Sequence, residues 1–151
     1  MSNLVEWSGA LSVGIDEIDA QHRTLIGLVN ELNNAIEERH GNAAVGDVLL
    51  RLEEYTRIHF AVEEGLMRVL GYPDLAAHKR EHARLTEQLA ELRGRFDAGR
   101  TALGFELMHF LKRWLTSHIM ESDQDYARHF AEMGSAGRLG RRGWRERLFG
   151  R

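Results

Sequence analysis

Residues 59–82 read HFAVEEGLMRVLGYPDLAAHKREH, and this stretch decides the fold. Leu66 and Leu70 continue an apolar stripe begun by Val48, Leu52 and Tyr55; Gly71 ends it and Pro73 follows, the order of signals expected at a helix stop. Asp74 then stands where a helix cap belongs, ahead of a stripe through Leu75, Leu85, Leu89, Leu92 and Phe96 that stops near Gly99. Two helices joined by so few residues must run antiparallel.

The same period extends outward on both sides. Upstream, Ile18, Leu25, Val29, Leu32 and Ile36 recur every three or four positions from about Asp16, with Gly41 as the expected stop. Downstream, Leu103, Leu107, Leu111, Trp114, Leu115 and Tyr126 follow a start near Thr101. Residues 1–15 mix Gly, Ser and Asn with Trp7 and Val13, which predicts an ordered arm that packs on something larger. The expected fold is all-α: an up-down-up-down antiparallel four-helix bundle over residues 1–133, with this N-terminal arm and a short basic C-terminal tail at 134–151.

Composition agrees. A chain of 151 residues is one domain's worth, and a single Pro permits long unbroken helices. Hydrophobic residues at 43% and charged residues at 28% exclude the disordered and collagen-like classes. With no Cys, thiol chemistry is excluded too. No apolar run approaches the roughly 18 residues of a membrane span, and Met1–Asp16 has no basic cluster followed by an apolar run, so a cytoplasmic protein is expected. The net charge of -3 divides into +5 over residues 134–151 and -8 over the remainder. An acidic body is a poor partner for nucleic acid. Arg141, Arg142, Trp144, Arg147, Leu148 and Phe149 would instead suit an anionic membrane surface or an acidic protein. If the tail docks on lipid, deleting residues 135–151 should abolish liposome sedimentation.

The apolar stripes have gaps, and polar residues fill them. His22 lies between Ile18 and Leu25, His59 and Glu63 between Tyr55 and Leu66, His78 and His82 between Leu75 and Leu85, and His118 beyond Leu115, followed by Asp123. Burying seven such groups unpartnered would cost several kcal/mol in a fold with about 5 to 15 kcal/mol to spare. Two cations would satisfy them, the imidazoles donating lone pairs and the two carboxylates bridging. Structural zinc needs only four ligands, and magnesium or calcium prefers oxygen throughout. Redox-active iron fits best, with manganese or zinc behind it. Five residues at 100° each put Asp123 about 140° around from His118, so the helix either widens locally to a π turn or Asp123 reaches in from the side. The remaining histidines are excluded: His109 falls on the opposite face, while His40 and His129 lie about 27 Å and about 16 Å along their helices from His22 and His118.

The motifs AQH (20–22), HFAVE (59–63), HKREH (78–82) and HIMESD (118–123), in that order, resemble those of the bacterial hemerythrins. The likeness extends to Trp7, Val13-Gly14-Ile15-Asp16, Tyr72-Pro73-Asp74 and Arg113-Trp114-Leu115, and covers roughly residues 5–131. The resemblance implies a non-haem di-iron centre that binds O2 reversibly; with a single domain expected and no obvious catalytic base near the open position, oxygen carriage, storage or delivery is expected rather than catalysis. By the resemblance, one iron takes His78, His82 and His118, the other takes His22 and His59 and keeps an open position, and Glu63 and Asp123 bridge both beside an oxo or hydroxo group. Phe60, Trp114, Leu115 and Ile119 match the family's O2 pocket, which must stay dry to remain reversible. Tyr126, three residues beyond Asp123, is a candidate donor to the centre, although any carbonyl would also satisfy a buried phenol. A monomer is expected. The competing functions are an O2 or redox sensor acting through a partner, and an enzyme that processes peroxide or nitric oxide.

Overall fold

The computed structural model describes residues 4–99 and 103–135. Helices α1 (Asp16–Glu37), α2 (Asn42–Val69) and α3 (Leu75–Asp97) precede a last rod made of α4 (Leu103–Ser117), a π-helical segment (His118–Asp123) and α5 (Gln124–Ser135). A single 3-10 turn, Gly9–Leu11, interrupts the arm, and the described residues contain no strand. The fold is therefore all-α, as expected.

Local chemistry explains the boundaries. Asp16, Glu17 and Asp19 crowd the first turn of α1, where carboxylates oppose the positive end of the helix dipole. The stop of α1 differs from expectation. Arg39, at φ 56°, takes the left-handed conformation, and the His40 N–H reaches the Ala35 carbonyl at 3.0 Å. Gly41, at φ 96°, instead precedes the first residue of α2. Gly71, at φ 70°, does end α2, with the Tyr72 N–H returning to the Met67 carbonyl at 2.9 Å. Asp74 occupies the cap position of α3, yet its side chain makes no capping hydrogen bond. The main chain closes that turn, the His78 N–H donating to the Asp74 carbonyl at 3.0 Å, and the Asp74 side chain lines a surface cleft with Tyr72.

Helix α1 packs on α2 and α4, and α3 packs on α2 and α4. The buried apolar residues form two clusters rather than one. The first holds Leu25, Val29, Leu32, Leu52, Phe60, Leu89, Leu111, Leu115 and Ile119; the second holds Ile15, Ile18, Leu66, Met67, Leu70, Tyr126 and Phe130. Chain order through them alternates. Helix α1 runs from the second to the first and α2 from the first to the second; α3 again runs from the second, at Leu75, to the first, and the last rod returns. Successive elements are thus antiparallel. The polar residues singled out from the sequence fall at the crossover on every element.

The arm is anchored at several points. The Val5 N–H donates to Asn30 Oδ1 at 2.9 Å and Asn30 Nδ2 donates to the Val5 carbonyl at 2.8 Å. Arg23 lies over the Trp7 ring, 4.6 Å from its centroid. Asp19 accepts from Ser12 Oγ at 2.5 Å and from the Val13 N–H at 2.8 Å. Exposed pairs such as Arg51–Glu31, at 2.6 Å between α2 and α1, add little beyond register. No described helix is long and apolar enough to cross a membrane. The expected helix start near Thr101 and nearly all of the basic tail, residues 136–151, lie outside the described residues.

Candidate metal centre

Every rod contributes to one buried polar layer between the two apolar clusters. Helix α1 brings His22, α2 brings His59 and Glu63, α3 brings His78 and His82, and the π segment brings His118 and Asp123. All seven are buried, His78 being the most exposed at 5%. On α2 and α3 the four-residue spacing stacks two side chains on one face. Between His118 and Asp123 the helix widens, so the π turn, and not a sideways reach from a regular helix, brings an i, i+5 pair into line.

The seven residues form two groups, His22, His59, Glu63 and Asp123, and Glu63, His78, His82, His118 and Asp123, each with ligand atoms lying within 4.8 Å of one another. The two carboxylates belong to both. Glu63 turns Oε2 toward His59 and His22, at 3.4 and 3.5 Å from Nε2, and Oε1 toward His82 and His118, at 3.2 and 3.9 Å. Asp123 divides the same way. Its Oδ2 lies 2.9 Å from His22 Nε2, and its Oδ1 lies 3.2 Å from Nε2 of both His78 and His118.

The far sides of three rings fix how they point. His82 Nδ1 donates to Glu64 Oε2 at 2.8 Å, His118 Nδ1 to Glu81 Oε2 at 2.7 Å, and His59 Nδ1 pairs with Gln21 Oε1 at 2.7 Å. A carboxylate only accepts, so His82 and His118 carry Nδ1–H, which makes Nε2 the nitrogen that offers a lone pair whenever the ring is neutral. Those two nitrogens face each other at 3.2 Å. Two lone pairs at that distance repel unless a proton or metal ion sits between them. Two nitrogens bound at right angles to one ion at about 2.1 Å would stand about 3.0 Å apart, close to what is seen.

Buried atoms without a well-directed hydrogen bond gather at the same point: both nitrogens of His22, Nε2 of His59 and of His78, Oε1 of Glu63, and both carboxylate oxygens of Asp123. Native interiors rarely leave such groups unmet. The donor set, imidazole nitrogens converging on shared carboxylate oxygens, fits transition-metal ions. The electrostatics point the same way. Burial works against a charged His22, but hydrogen bonds to Asp123 and Glu63 and their negative charge win, raising its pKa to about 9. His118 is raised well above its usual value against the same burial penalty, through the charge of Asp123 and hydrogen bonds to Asp123, Glu63 and Glu81. Glu63 and Asp123 are held below the ordinary carboxylate range despite full burial, the neighbouring imidazoles outweighing desolvation. The centre attracts cations.

The family model of the hemerythrin HHE cation binding domain matches residues 13–130. The chain belongs to the hemerythrin family. It is 46% identical over 124 residues to a bacteriohemerythrin of Stenotrophomonas maltophilia, covering 82% of this chain and 80% of that one. It is 34% identical over 125 residues to a bacteriohemerythrin of Methylococcus capsulatus, covering 82% and 94%. Among solved structures, a wild-type hemerythrin superposes with a TM-score of 0.74 at 32% identity, over 82% of this chain and 95% of that one.

Within this hemerythrin domain, Phe60, Trp114, Leu115 and Ile119 fall in a single buried apolar cluster beside the polar layer. Phe60 stacks on His82 with centroids 3.7 Å apart, tilts against His59 and His118 at 5.9 and 5.5 Å, and meets Trp114 edge-on at 6.2 Å. Tyr126, fully buried, donates to Glu63 Oε2 at 2.7 Å rather than to a carbonyl. The other histidines are elsewhere. His40 is exposed beside Glu38 at 2.8 Å, His109 stacks on the exposed Phe105, and His129 packs against Tyr72 and Phe130. Gln21, Glu64 and Glu81, the acceptors behind the rings, were not singled out from the sequence. Their only signal is adjacency: each directly precedes or follows one of the seven.

Proposed function

We propose that this chain binds O2 reversibly at a non-haem di-iron centre and serves oxygen carriage, storage or delivery. The observation that carries the reading is the division of the two buried carboxylates, each offering one oxygen to a two-histidine group and the other to a three-histidine group. That arrangement suits two ions sharing both bridges. In this reading His78, His82 and His118 hold one iron, His22 and His59 hold the other, and Glu63 and Asp123 hold both. Membership of the hemerythrin family, whose model describes a cation binding domain, supports a metal here, and the resemblance of the motifs supports the choice of iron and of O2.

Held by these residues, a pair of ferrous ions would supply the electrons for reversible O2 binding. The chain's own residues do the remaining work. Glu64 and Glu81 keep His82 and His118 turned inward. Tyr126 keeps its proton, because burial and the charges of Glu63 and Asp123 raise its pKa well above the usual value, and it donates that proton's hydrogen bond to Glu63 Oε2. Phe60, Trp114, Leu115 and Ile119 exclude water, which would otherwise promote irreversible oxidation. We further infer that residues 1–133 act as one up-down-up-down four-helix bundle domain, a monomer, with 134–151 as an appendage.

The decisive test is a metal count on purified protein, coupled to absorption spectra after dithionite reduction and after re-exposure to air. Two irons per chain and a visible band that appears with O2 and vanishes under vacuum are expected. Zinc, a single iron, or a spectrum indifferent to O2 would overturn the reading.

A further inference from the structure

The acceptors behind the histidine rings differ sharply between the two halves of the centre. In the three-histidine group, His82 and His118 each donate Nδ1–H to a carboxylate, Glu64 at 2.8 Å and Glu81 at 2.7 Å. In the two-histidine group, His59 has the neutral amide of Gln21 at 2.7 Å, and His22 Nδ1 is buried with no partner at all. One half has two anions behind its rings; the other has none.

A carboxylate that accepts Nδ1–H draws the proton toward itself and pushes electron density to Nε2, making that nitrogen a stronger donor to a metal. An amide oxygen does this less, because it carries no net charge. Glu64 and Glu81 are partly exposed, at 21% and 30% of their side-chain surface, which screens their long-range field. Their effect through a direct hydrogen bond survives that screening. Glu63 and Asp123 are common to both halves, so ligand strength differs through the histidines, through what stands behind them, and through the Tyr126 hydrogen bond, which falls on Glu63 Oε2, the oxygen turned to the two-histidine half.

We propose that the centre fills in a fixed order, the three-histidine half first, and that Glu64 and Glu81 are the positioning residues that set this order, with Gln21 keeping the two-histidine half weaker. A weakly held second ion is the one that leaves first and the one whose coordination is most easily altered. This inference rests on the two-ion reading above.

The test uses the full chain, stripped of metal and titrated with Co2+ under anaerobic conditions by calorimetry and visible absorption. Two equivalents are expected, the first at least about tenfold tighter than the second. Shared carboxylates alone would also separate two steps, so variants must assign them. His22→Ala should keep the tight step and lose the weak one. Glu64→Gln/Glu81→Gln, which retains acceptors but removes both charges, should weaken the first step by about 10- to 100-fold, the usual effect of removing such partners. Gln21→Glu should strengthen the second step and narrow the gap, a gain that no misfolded variant would give. Loss of the tight step in His22→Ala, an unchanged first step in the double variant, or an unchanged second step in Gln21→Glu would each overturn the ordering. Fewer than two equivalents in the unaltered chain would overturn the two-ion reading itself.

Discussion

Tyr126 Oη donates to Glu63 Oε2 across 2.7 Å, tying the first turn of α5 to the last third of α2 through a pair of side chains with no exposed surface. The partner is a buried carboxylate, so this is a charge-assisted bond of the stronger kind. Tyr126→Phe keeps the ring and deletes the donor. Urea unfolding of the metal-free chain should show a loss of about 1.5 to 3 kcal/mol, the range for hydrogen bonds to charged groups. No change in midpoint would mean that the phenol contributes packing alone.

Because each carboxylate serves both groups, its loss should differ in kind from the loss of one histidine. Asp123→Ala is expected to bring metal content close to zero, whereas His59→Ala, which touches one group only, should retain about one ion per chain. Elemental analysis after dialysis distinguishes them. Equal losses would argue against a shared carboxylate.

Leu115 is buried in the apolar cluster that flanks the histidines. Leu115→Thr should admit water and speed autoxidation of the O2-bound form roughly tenfold, equivalent to about 1.4 kcal/mol of barrier. The decay of the visible band in air-equilibrated buffer reports it. An unchanged rate would remove Leu115 from the pocket.

The metal-free chain should have a lopsided pH profile. His22 is raised from 6.5 to about 9, so its contribution to stability is complete below pH 6.5 and is lost as pH rises through 9. Glu63 and Asp123 are depressed, so theirs is present above their ordinary values of 4.5 and 3.8 and is lost as pH falls below them. Thermal melts of the stripped chain should therefore peak between about pH 5 and pH 6 and decline on the alkaline side. In the loaded chain metal replaces those protons, so the alkaline decline should vanish and acid should instead release metal.

Much of this was legible in the sequence because helical period is a strong signal. Four stripes with polar gaps predicted four rods and the convergence of His22, His59, Glu63, His78, His82, His118 and Asp123 on one layer. Asp123 was ambiguous because its five-residue offset from His118 fits no regular helix, and nothing in the letters HIMESD distinguishes a π turn from a sideways reach. The stop of α1 was misplaced by two residues, since an Arg in the left-handed region is uncommon and a nearby Gly is the ordinary choice. Asp74 takes the cap position that the sequence marks, but its side chain makes no capping bond. Gln21, Glu64 and Glu81 escaped notice because half-exposed polar residues on a helix read as solvated surface until the ring they touch is located.

The π segment has a consequence beyond bringing Asp123 into line. It is one residue longer than a regular helix would be over the same span, so every side chain after it is turned by about 100° relative to an uninterrupted α4. Tyr126 and Phe130 sit in the second apolar cluster with that offset in place. Deleting any one residue between 119 and 122 would regularise the helix and rotate all of α5, moving a site residue and the second apolar cluster together. The phase of the chain's last helix is thus written at the metal layer, and an insertion or deletion there is read out as far along as Phe130.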